Sequence, residues 1–503
     1  MSSDLTRLRL IHPDDDVAVA LVDLAAGQEL HLGDRAVVPL GPIDRGHKLA
    51  LRFLPTGAVV QKYGSAIGIA SVDIAAGAWV HTHNLRSRLA GLAELRRAAG
   101  APASAPTRVD PVPSDRHFAG YRRPDGRVGT RNEIWIIGTV GCVSRTVQRI
   151  AAETGRRNAG RADAIVPLTH PFGCSQVGGD LERTRAVLAA LAAHPNAGGV
   201  LIVGLGCESN EARALMAAIP GRDPARLRLL GAQDCADEVA HGVTLVEELL
   251  ELVATDRRER CGLEDLCIGL KCGGSDGLSG LTANPLLGRV AEQVTAAGGR
   301  AILSEVPELF GAEAQLLERA VDDAVFESVG ALLNDFRRYL QAHGEPLHEN
   351  PSPGNLAGGI TTLEEKSLGA VQKGGRAPVT AALRYGERIQ KPGLAVLEAP
   401  GNDAVSSTAL AAAGANLLLF TTGRGTPLGC PVPTLKVASN SELARRKPAW
   451  IDFDAGPLLE GVGEESVVAA LLELVLATAS GRPACNETNE ERAIALWKGG
   501  VTL

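Results

Sequence analysis

Apolar residues in the first hundred positions fall in short runs, such as Val17-Ala-Val-Ala-Leu-Val22 and Ala66-Ile-Gly-Ile-Ala70. Gly and Pro break them roughly every eight to twelve residues, which predicts a small β-rich domain over residues 1–100. Val22-Asp-Leu-Ala-Ala-Gly27 returns fifty positions on as Val72-Asp-Ile-Ala-Ala-Gly77, so two similar β halves are expected to pack together. Residues 101–115, with Ala101-Pro-Ala-Ser-Ala-Pro-Thr107 and Pro111-Val-Pro113, have linker composition and predict an extended tether. A tether of that kind would let the first domain reposition over a binding crevice.

Beyond the tether, short β-rich runs alternate with Ala-rich helical stretches. Glu133-Ile-Trp-Ile-Ile-Gly138, Ala164-Ile-Val166 and Val200-Leu-Ile-Val203 read as strands, with helices at 145–159 and 243–255. The alternation restarts at Leu266-Cys-Ile-Gly-Leu270 and Ala301-Ile-Leu303, and continues through Gly393-Leu-Ala-Val-Leu397, Asn416-Leu-Leu-Leu-Phe420 and Pro433-Thr-Leu-Lys-Val437. Two Rossmann-like α/β units with mostly parallel sheets follow, at 116–258 and 259–503, with helices on both faces. The Gly-, Pro- and Asn-rich stretch from Pro346 to Gly375 is expected to be a long loop.

Composition narrows the function classes. The chain has 503 residues, net charge −7 and 3% aromatics, so it lacks the basic surface and stacking platforms of a nucleic-acid binder. No apolar stretch reaches the ~18 residues needed to span a bilayer, and Met1 to Leu10 lacks a secretory core, so a cytoplasmic protein without membrane attachment is expected. In that compartment the nine cysteines do not form a disulfide framework.

Their positions carry the chemistry. Cys142, Cys174, Cys207 and Cys272 each sit in a Gly-flanked turn at or just past an apolar strand. In a parallel sheet those turns share the carboxyl edge, where α/β enzymes bind ligands, so the four thiols are expected to converge on one crevice. The alternative for each is a small buried residue behind a glycine turn. Cys430 and Cys485 are further candidates for the same region, whereas Cys235, Cys261 and Cys267 lack the glycine context. No C-x-x-C pair is present, which disfavours structural zinc and leaves iron, as Fe2+ or as an iron-sulfur cluster.

Three polar constellations accompany the cysteines. His81-Thr-His83-Asn84 places two imidazoles on one face of an extended segment, with His12 as a weaker companion; two solvated loop histidines are the alternative. Lys271-Cys-Gly-Gly-Ser275-Asp276 and the following Asn284 supply donors and short polar groups for a hydroxylated anion. Arg424, between Gly423 and Gly425, offers a guanidinium for a carboxylate, and Glu208, His170 and Gln176 flank the cysteine turns. Gly204-Leu-Gly206 is a mere fragment of a dinucleotide fingerprint.

The ordered set Gly120-Tyr-Arg-Arg-Pro-Asp-Gly-Arg-Val-Gly-Thr-Arg-Asn132, Gly204-Leu-Gly-Cys-Glu208, Cys272-Gly-Gly-Ser-Asp276, Thr282-Ala-Asn-Pro285, Ser304-Glu-Val306, Pro351-Ser-Pro-Gly-Asn355 and Thr422-Gly-Arg-Gly-Thr-Pro427 resembles the altronate and galactarate dehydratases. The likeness extends over nearly the whole chain. It implies that residues 1–100 are an SAF domain, and His81-Thr-His-Asn84 with Val501-Thr-Leu503 resemble the altronate branch. By resemblance the activity is a hydro-lyase reaction requiring ferrous iron, which dehydrates a small-molecule sugar acid to a 2-keto-3-deoxy acid. His81, His83, Lys271, Glu208 and Asp276 would then be catalytic. His12, Asn84, His170, Gln176, Ser275, Asn284 and Arg424 would bind substrate, and Cys142, Cys174, Cys207 and Cys272 would hold the metal. The same family covers aldarate dehydratases and sulfolactate sulfo-lyases; an iron-sulfur redox sensor and a non-catalytic sugar-acid binder are the readings from other classes, and a homo-oligomer is compatible with all of them.

Overall fold

The computed structural model describes residues 7–33, 35–89, 114–221, 223–346 and 350–503. The expected tether, Ala101 to Pro113, lies outside the described residues. The N-terminal domain is β-rich: a four-stranded antiparallel sheet (Leu8–Arg9, Val17–Ala20, Lys48–Ala50, Trp79–Val80), a three-stranded one (Val59–Lys62, Ser65–Ala70, Leu85–Arg86) and a two-stranded one (Leu30–Leu32, Arg35–Val37). The fifty-residue echo is a structural repeat. Leu24 bridges Ile43 and Ile74 bridges Leu54, each just before a glycine turn with φ near +80°, at Gly27 and Gly77, a conformation that favours glycine.

Two parallel sheets follow. The first has four strands in the order Ile165–Leu168, Glu133–Gly138, Ala197–Gly204, Leu227–Gly231. The second has seven, in the order Val379–Leu383, Gly393–Leu397, Arg300–Leu303, Cys267–Cys272, Leu417–Thr422, Thr434–Ala438, Phe453–Asp454. The strands Glu133–Gly138, Ala197–Gly204 and Cys267–Cys272 are buried along their whole length, as expected of sheets covered on both faces. Chain order reverses between Glu133–Gly138 and Ala197–Gly204 in the first sheet and between Cys267–Cys272 and Leu417–Thr422 in the second. These switch points open crevices at the carboxyl edges.

The stretch from Pro346 to Gly375 is not a plain loop, contrary to expectation. It folds into the helices Pro353–Ala357 and Leu363–Ala370 and the 3-10 turn Val371–Gly374. Caps rather than length explain the short helices: Ser352 and Asn355 form a reciprocal capping box, and the Thr362 hydroxyl accepts from the Glu365 amide. This segment is also the seat of the N-terminal domain. Lys48 Nζ and Lys62 Nζ donate to the two carboxylate oxygens of Glu365 at 2.8 and 2.7 Å, all buried. Val19 and Leu21 pack on Leu278 and Leu459 nearby.

The C-terminal segment ties the two α/β units together. The Ala495 amide donates to Thr408 Oγ1, the Trp497 amide to the Tyr385 hydroxyl, and the Gly499 and Gly500 amides to the buried Asp180 carboxylate. Thr502 then bridges Gln176 and the Leu503 amide donates to the Ser175 carbonyl, so the chain ends on the Cys174 turn. Among the described residues no helix is long and apolar enough to cross a membrane.

Candidate functional site

A cavity of about 770 Å³ opens at the carboxyl edge of the seven-stranded sheet, at its switch point. The turn after Cys267–Cys272 contributes Gly273, Gly274 and Ser275, and the turn after Arg300–Leu303 contributes Pro307 and Glu308. The capped segment supplies Asn350, Ser352, Asn355 and Lys366, and the start of the helix Asp403–Ala412 supplies Asn402 and Asp403. Asn402 caps that helix by accepting from the Val405 amide at 3.1 Å, so a helix N-terminus faces the cavity and favours an anion there.

From Asp403 at the cavity edge, an unbroken chain of polar groups runs into the buried layer behind the wall. Lys271 Nζ donates to Asp403 Oδ1 at 2.7 Å and to Glu305 Oε1. Glu305 Oε2 accepts from Lys373 Nζ at 2.9 Å and from the Cys272 amide at 3.0 Å. Lys373 Nζ also meets Cys272 Sγ at 2.8 Å, the thiol donates to Glu308 Oε2 at 3.0 Å, and Glu308 Oε1 pairs with Lys366 Nζ at 2.9 Å. The chain thus joins Asp403 and Glu308, two of the three carboxylates that line the cavity. Glu305 holds its place with φ at +69°, a left-handed conformation that a non-glycine residue adopts at a cost of roughly 1–3 kcal/mol.

The electrostatics assign fixed charges to this chain. Burial pushes the Cys272 thiol up to about 12, with Glu305 and Glu308 adding to the shift, so it stays protonated. Burial pulls Lys271 and Lys373 down, but Glu305 and Asp403 around Lys271, and Cys272 followed by Glu305 and Glu308 around Lys373, more than reverse it and hold both above the ordinary lysine range. Burial likewise opposes ionisation of Glu308, and Lys366, Lys373 and Lys271 overcome it, leaving its carboxyl below the usual range. Cys272 Sγ and oxygens of Glu305 and Glu308 lie within 4.8 Å of one another, a donor set with metal-ligating atoms. Three ammonium groups already meet those atoms and balance the three carboxylates of the chain. A divalent ion would have to displace them and deprotonate the thiol, so the set suits a charge-balanced network better than a metal.

The four thiols therefore do not gather on one crevice. Cys272 is buried at the edge of the seven-stranded sheet, while Cys142, Cys174 and Cys207 are exposed in the turns that follow three strands of the four-stranded sheet. Those turns are stitched to each other. The Gly141 amide donates to the Phe172 carbonyl, the Asn210 amide to Gly173, and Asn210 Nδ2 to the Thr139 carbonyl. Glu208 accepts from the Thr139 hydroxyl and from the Leu205 and Gly206 amides; burial opposes its ionisation, and these donors hold its carboxyl below the usual range. Gln176 accepts from the Gly173 amide and donates to Thr184, and His170 Nε2 bonds the Gly138 carbonyl at 3.0 Å. Glu208, His170 and Gln176 thus shape the cysteine turns, away from the cavity of the other sheet.

Several expected site residues are engaged elsewhere for identifiable reasons. The buried Lys271 ammonium is engaged by Glu305 and Asp403, behind the cavity wall. Asp276 accepts from the Leu278 and Ser279 amides, the Ser279 and Ser439 hydroxyls and Asn440 Nδ2, so its oxygens lock its own loop. Asn284 bridges Thr421 and the Gly369 carbonyl, and Asn84 bonds the His81 amide and the Trp79 carbonyl. Arg424 reaches the Gly354 carbonyl at 3.3 Å, beside the cavity, and Ser275 lines it. His81 Nε2 bonds the Leu356 carbonyl at 3.0 Å and its ring stacks on Trp79; His83 lies against Trp79 as well. His81 thus serves the domain boundary, and His83 stays exposed on its own domain. His12 stays in an exposed turn with Asp14 and Asp15. Sequence reading missed Glu305, Glu308, Lys366, Lys373 and Asp403, although Ser304-Glu-Val306 and Pro351-Ser-Pro-Gly-Asn355 were already among the motifs.

Three family models match in order: the altronate/galactarate dehydratase SAF domain at residues 6–88, the second domain of D-galactarate dehydratase/altronate hydrolase at 120–254, and the D-galactarate/altronate dehydratase C-terminal domain at 263–502. The chain is 48% identical over 500 residues to the altronate dehydratase of Escherichia coli (strain K12), covering 98% of this chain and 99% of that one. It is 46% identical over 501 residues to the altronate dehydratase of Bacillus subtilis (strain 168), again 98% and 99%. To the galactarate dehydratase (L-threo-forming) of Escherichia coli (strain K12) it is 32% identical over 498 residues, 94% and 92%.

Proposed function

The chain belongs to the altronate/galactarate dehydratase family, and from that premise we propose that it dehydrates an altronate-type aldonate at the cavity of the seven-stranded sheet. As a member it is a sugar-acid hydro-lyase. The observation that carries the location is the pairing of two cavity-facing carboxylates, Glu308 and Asp403, with one cavity-facing ammonium, Lys366, on a helix-dipole edge.

Dehydration of a 2,3-dihydroxy acid removes the proton on C2, expels the C3 hydroxyl as water and leaves an enol that becomes the 2-keto-3-deoxy acid. The C2 proton is weakly acidic, so negative charge developing on the substrate carboxylate must meet fixed cations or donors. Lys366 and the amides at the start of Asp403–Ala412 supply them. Glu308, kept ionised by Lys366, accepts the C2 proton and returns it to the departing C3 hydroxyl, which leaves as water. Ser275, Asn350, Ser352, Asn355 and Asn402 line the same cavity with neutral donors and acceptors suited to the remaining hydroxyls. Lys271 and Lys373 hold Glu305 and Asp403 in place without leaving the buried layer.

Iron is assigned to Cys142, Cys174 and Cys207 on chemical grounds. Three exposed thiols sit in glycine turns on loops bonded to each other, whereas among the described residues the one group with ligand atoms within 4.8 Å, Cys272 with Glu305 and Glu308, is already occupied by ammonium groups. Bound there, iron would supply Lewis acidity to an oxygen that reaches the carboxyl edge of the four-stranded sheet, and every step at the cavity of the seven-stranded sheet is left to the residues that line it. The test is anaerobic protein loaded with ferrous iron and offered a panel of aldonates, aldarates and sulfolactate. Keto-acid formation from altronate that a chelator abolishes supports the reading; turnover of sulfolactate or aldarates in its place contradicts it. A sugar-acid substrate without nucleic-acid or membrane partners, a cytoplasmic setting and the homo-oligomer stay part of this proposal.

A further inference from the structure

Consecutive residues on one helix face two different domains. On Leu363–Ala370, Glu364 accepts from the Ser87 hydroxyl at 2.8 Å and the Arg88 amide at 2.6 Å. Glu365 accepts from Lys48 and Lys62, and its Oε2 also takes the Thr361 amide and hydroxyl at 2.9 and 2.7 Å. The next residue, Lys366, turns to the cavity, where it pairs with Glu308 and donates to Asn350 and Asn355 at 2.8 and 3.1 Å. Farther along the same run, Lys373 meets Cys272 and Glu305. The helix Pro353–Ala357, whose Asn355 lines the cavity, is gripped as well: His81 bonds the Leu356 carbonyl, and His47 Nε2 bonds the Ala357 carbonyl at 3.4 Å.

We propose that the N-terminal domain is a positioning device for the cavity, in which Lys48 and Lys62 fix Glu365 and thereby set Lys366 against Glu308. The inference rests on the reading of the cavity as the sugar-acid site. The helix is only eight residues long, and a helix of that length is marginal without tertiary support, so an outside anchor is what holds it in register. Both ammonium groups and the carboxylate are withdrawn from water, and separating them would leave a buried charge without a partner. A domain seated in this way is a fixed buttress rather than the repositioning lid that the tether suggested. Lys48, Lys62 and Glu365 are positioning residues, because they act on substrate through Lys366.

The experiment is a double-mutant cycle on the full iron-loaded chain, using Lys62→Met, Lys366→Gln and the pair, with altronate turnover and amide hydrogen exchange as readouts. Lys62→Met is expected to lower kcat at least tenfold in the parent and less than twofold in the Lys366→Gln background. Exchange at residues 361–373 should rise at least tenfold. Lys62→Arg should retain kcat within threefold, and Arg45→Ala, which removes a separate interdomain pair with Glu442, should leave both readouts unchanged. Glu365→Gln replaces Lys62→Met in the cycle if that variant does not fold. Equal losses in the two backgrounds, or unchanged exchange at 361–373, would overturn the proposal. If the parent dehydrates no sugar acid, the functional reading fails on its own, and exchange in Lys62→Met then decides the positioning claim alone.

Discussion

Replacing Lys373 by Met removes one ammonium from the buried chain behind the cavity. Its Nζ meets Cys272 Sγ at 2.8 Å and Glu305 Oε2 at 2.9 Å, and the side chain is fully withdrawn from water. Breaking one partner of a buried ionic group costs roughly 3–5 kcal/mol, because the remaining charge has lost its counterion without regaining water. Lys271 still donates to the other oxygen of Glu305, which places the expected loss near the lower limit, about 3 kcal/mol. At roughly 2–4 °C per kcal/mol for a unit of this size, the transition of the C-terminal unit should fall by roughly 6–12 °C in a calorimetric scan. A second replacement in the same chain, Glu305→Gln, removes the stranded charge and should recover at least half of that fall. Turnover should drop in the single variant and stay low in the double one, since Glu305 also anchors Lys271. A melting temperature within 1 °C of the parent, or no recovery in the double variant, would refute the charge-balance argument.

The cavity wall carries one lysine against Glu308, Asp403 and Glu345, so a second carboxylate on the substrate meets repulsion. Glu345→Arg should raise the ratio of kcat/KM for an aldarate over an aldonate by roughly 5–10-fold, about 1 kcal/mol at a solvent-exposed site, and an unchanged ratio would clear Glu345 of any part in selectivity. His170 has its pKa lowered by burial to about 4, against 6.5 unfolded, so the unfolded chain binds the proton more readily below pH 6.5. Its stabilising share is complete above pH 6.5 and is lost as pH falls to about 4, on the order of 3 kcal/mol; in urea titrations, His170→Gln should flatten the stability decline across that window. Cys207→Ser should lose bound iron, measured by metal analysis after desalting, whereas Cys272→Ala should retain it; the reverse pattern would move the metal to the buried set.

The strands were legible because their apolar runs are bounded by glycine turns, and Glu133–Gly138, Arg300–Leu303 and Gly393–Leu397 fall where the pattern put them. The cysteine turns were legible for the same reason, since a thiol flanked by glycine after a strand marks a carboxyl edge in a parallel sheet. Which edge each thiol joins was not, because nothing local distinguishes Cys207 from Cys272. Lys373 and Glu305 are 68 positions apart, and Lys48 and Glu365 are 317 apart. A buried ion pair at such separation leaves no periodic trace; each charge reads singly as a solvated surface residue. Asp276 and Asn284 show the opposite ambiguity, because short polar side chains beside glycines hold loops together, as these do, as readily as they hold ligands. The helix Leu363–Ala370 was hidden because its capping signal, Thr362 with Glu365, sits inside a glycine-rich stretch that resembles an open loop.

The most direct measurement follows the reacting carbons. Iron-loaded protein incubated anaerobically with altronate in D2O should convert it, by proton NMR, to a 2-keto-3-deoxy acid in which the C2 proton is gone and C3 carries one deuterium from solvent. Lys366→Met should slow that conversion roughly a hundredfold, to a rate that is still measurable, while the fold, followed by circular dichroism, persists. Altronate that remains unchanged, or a product that retains its C2 proton, would contradict the assignment of α-proton abstraction and loss of water to this cavity.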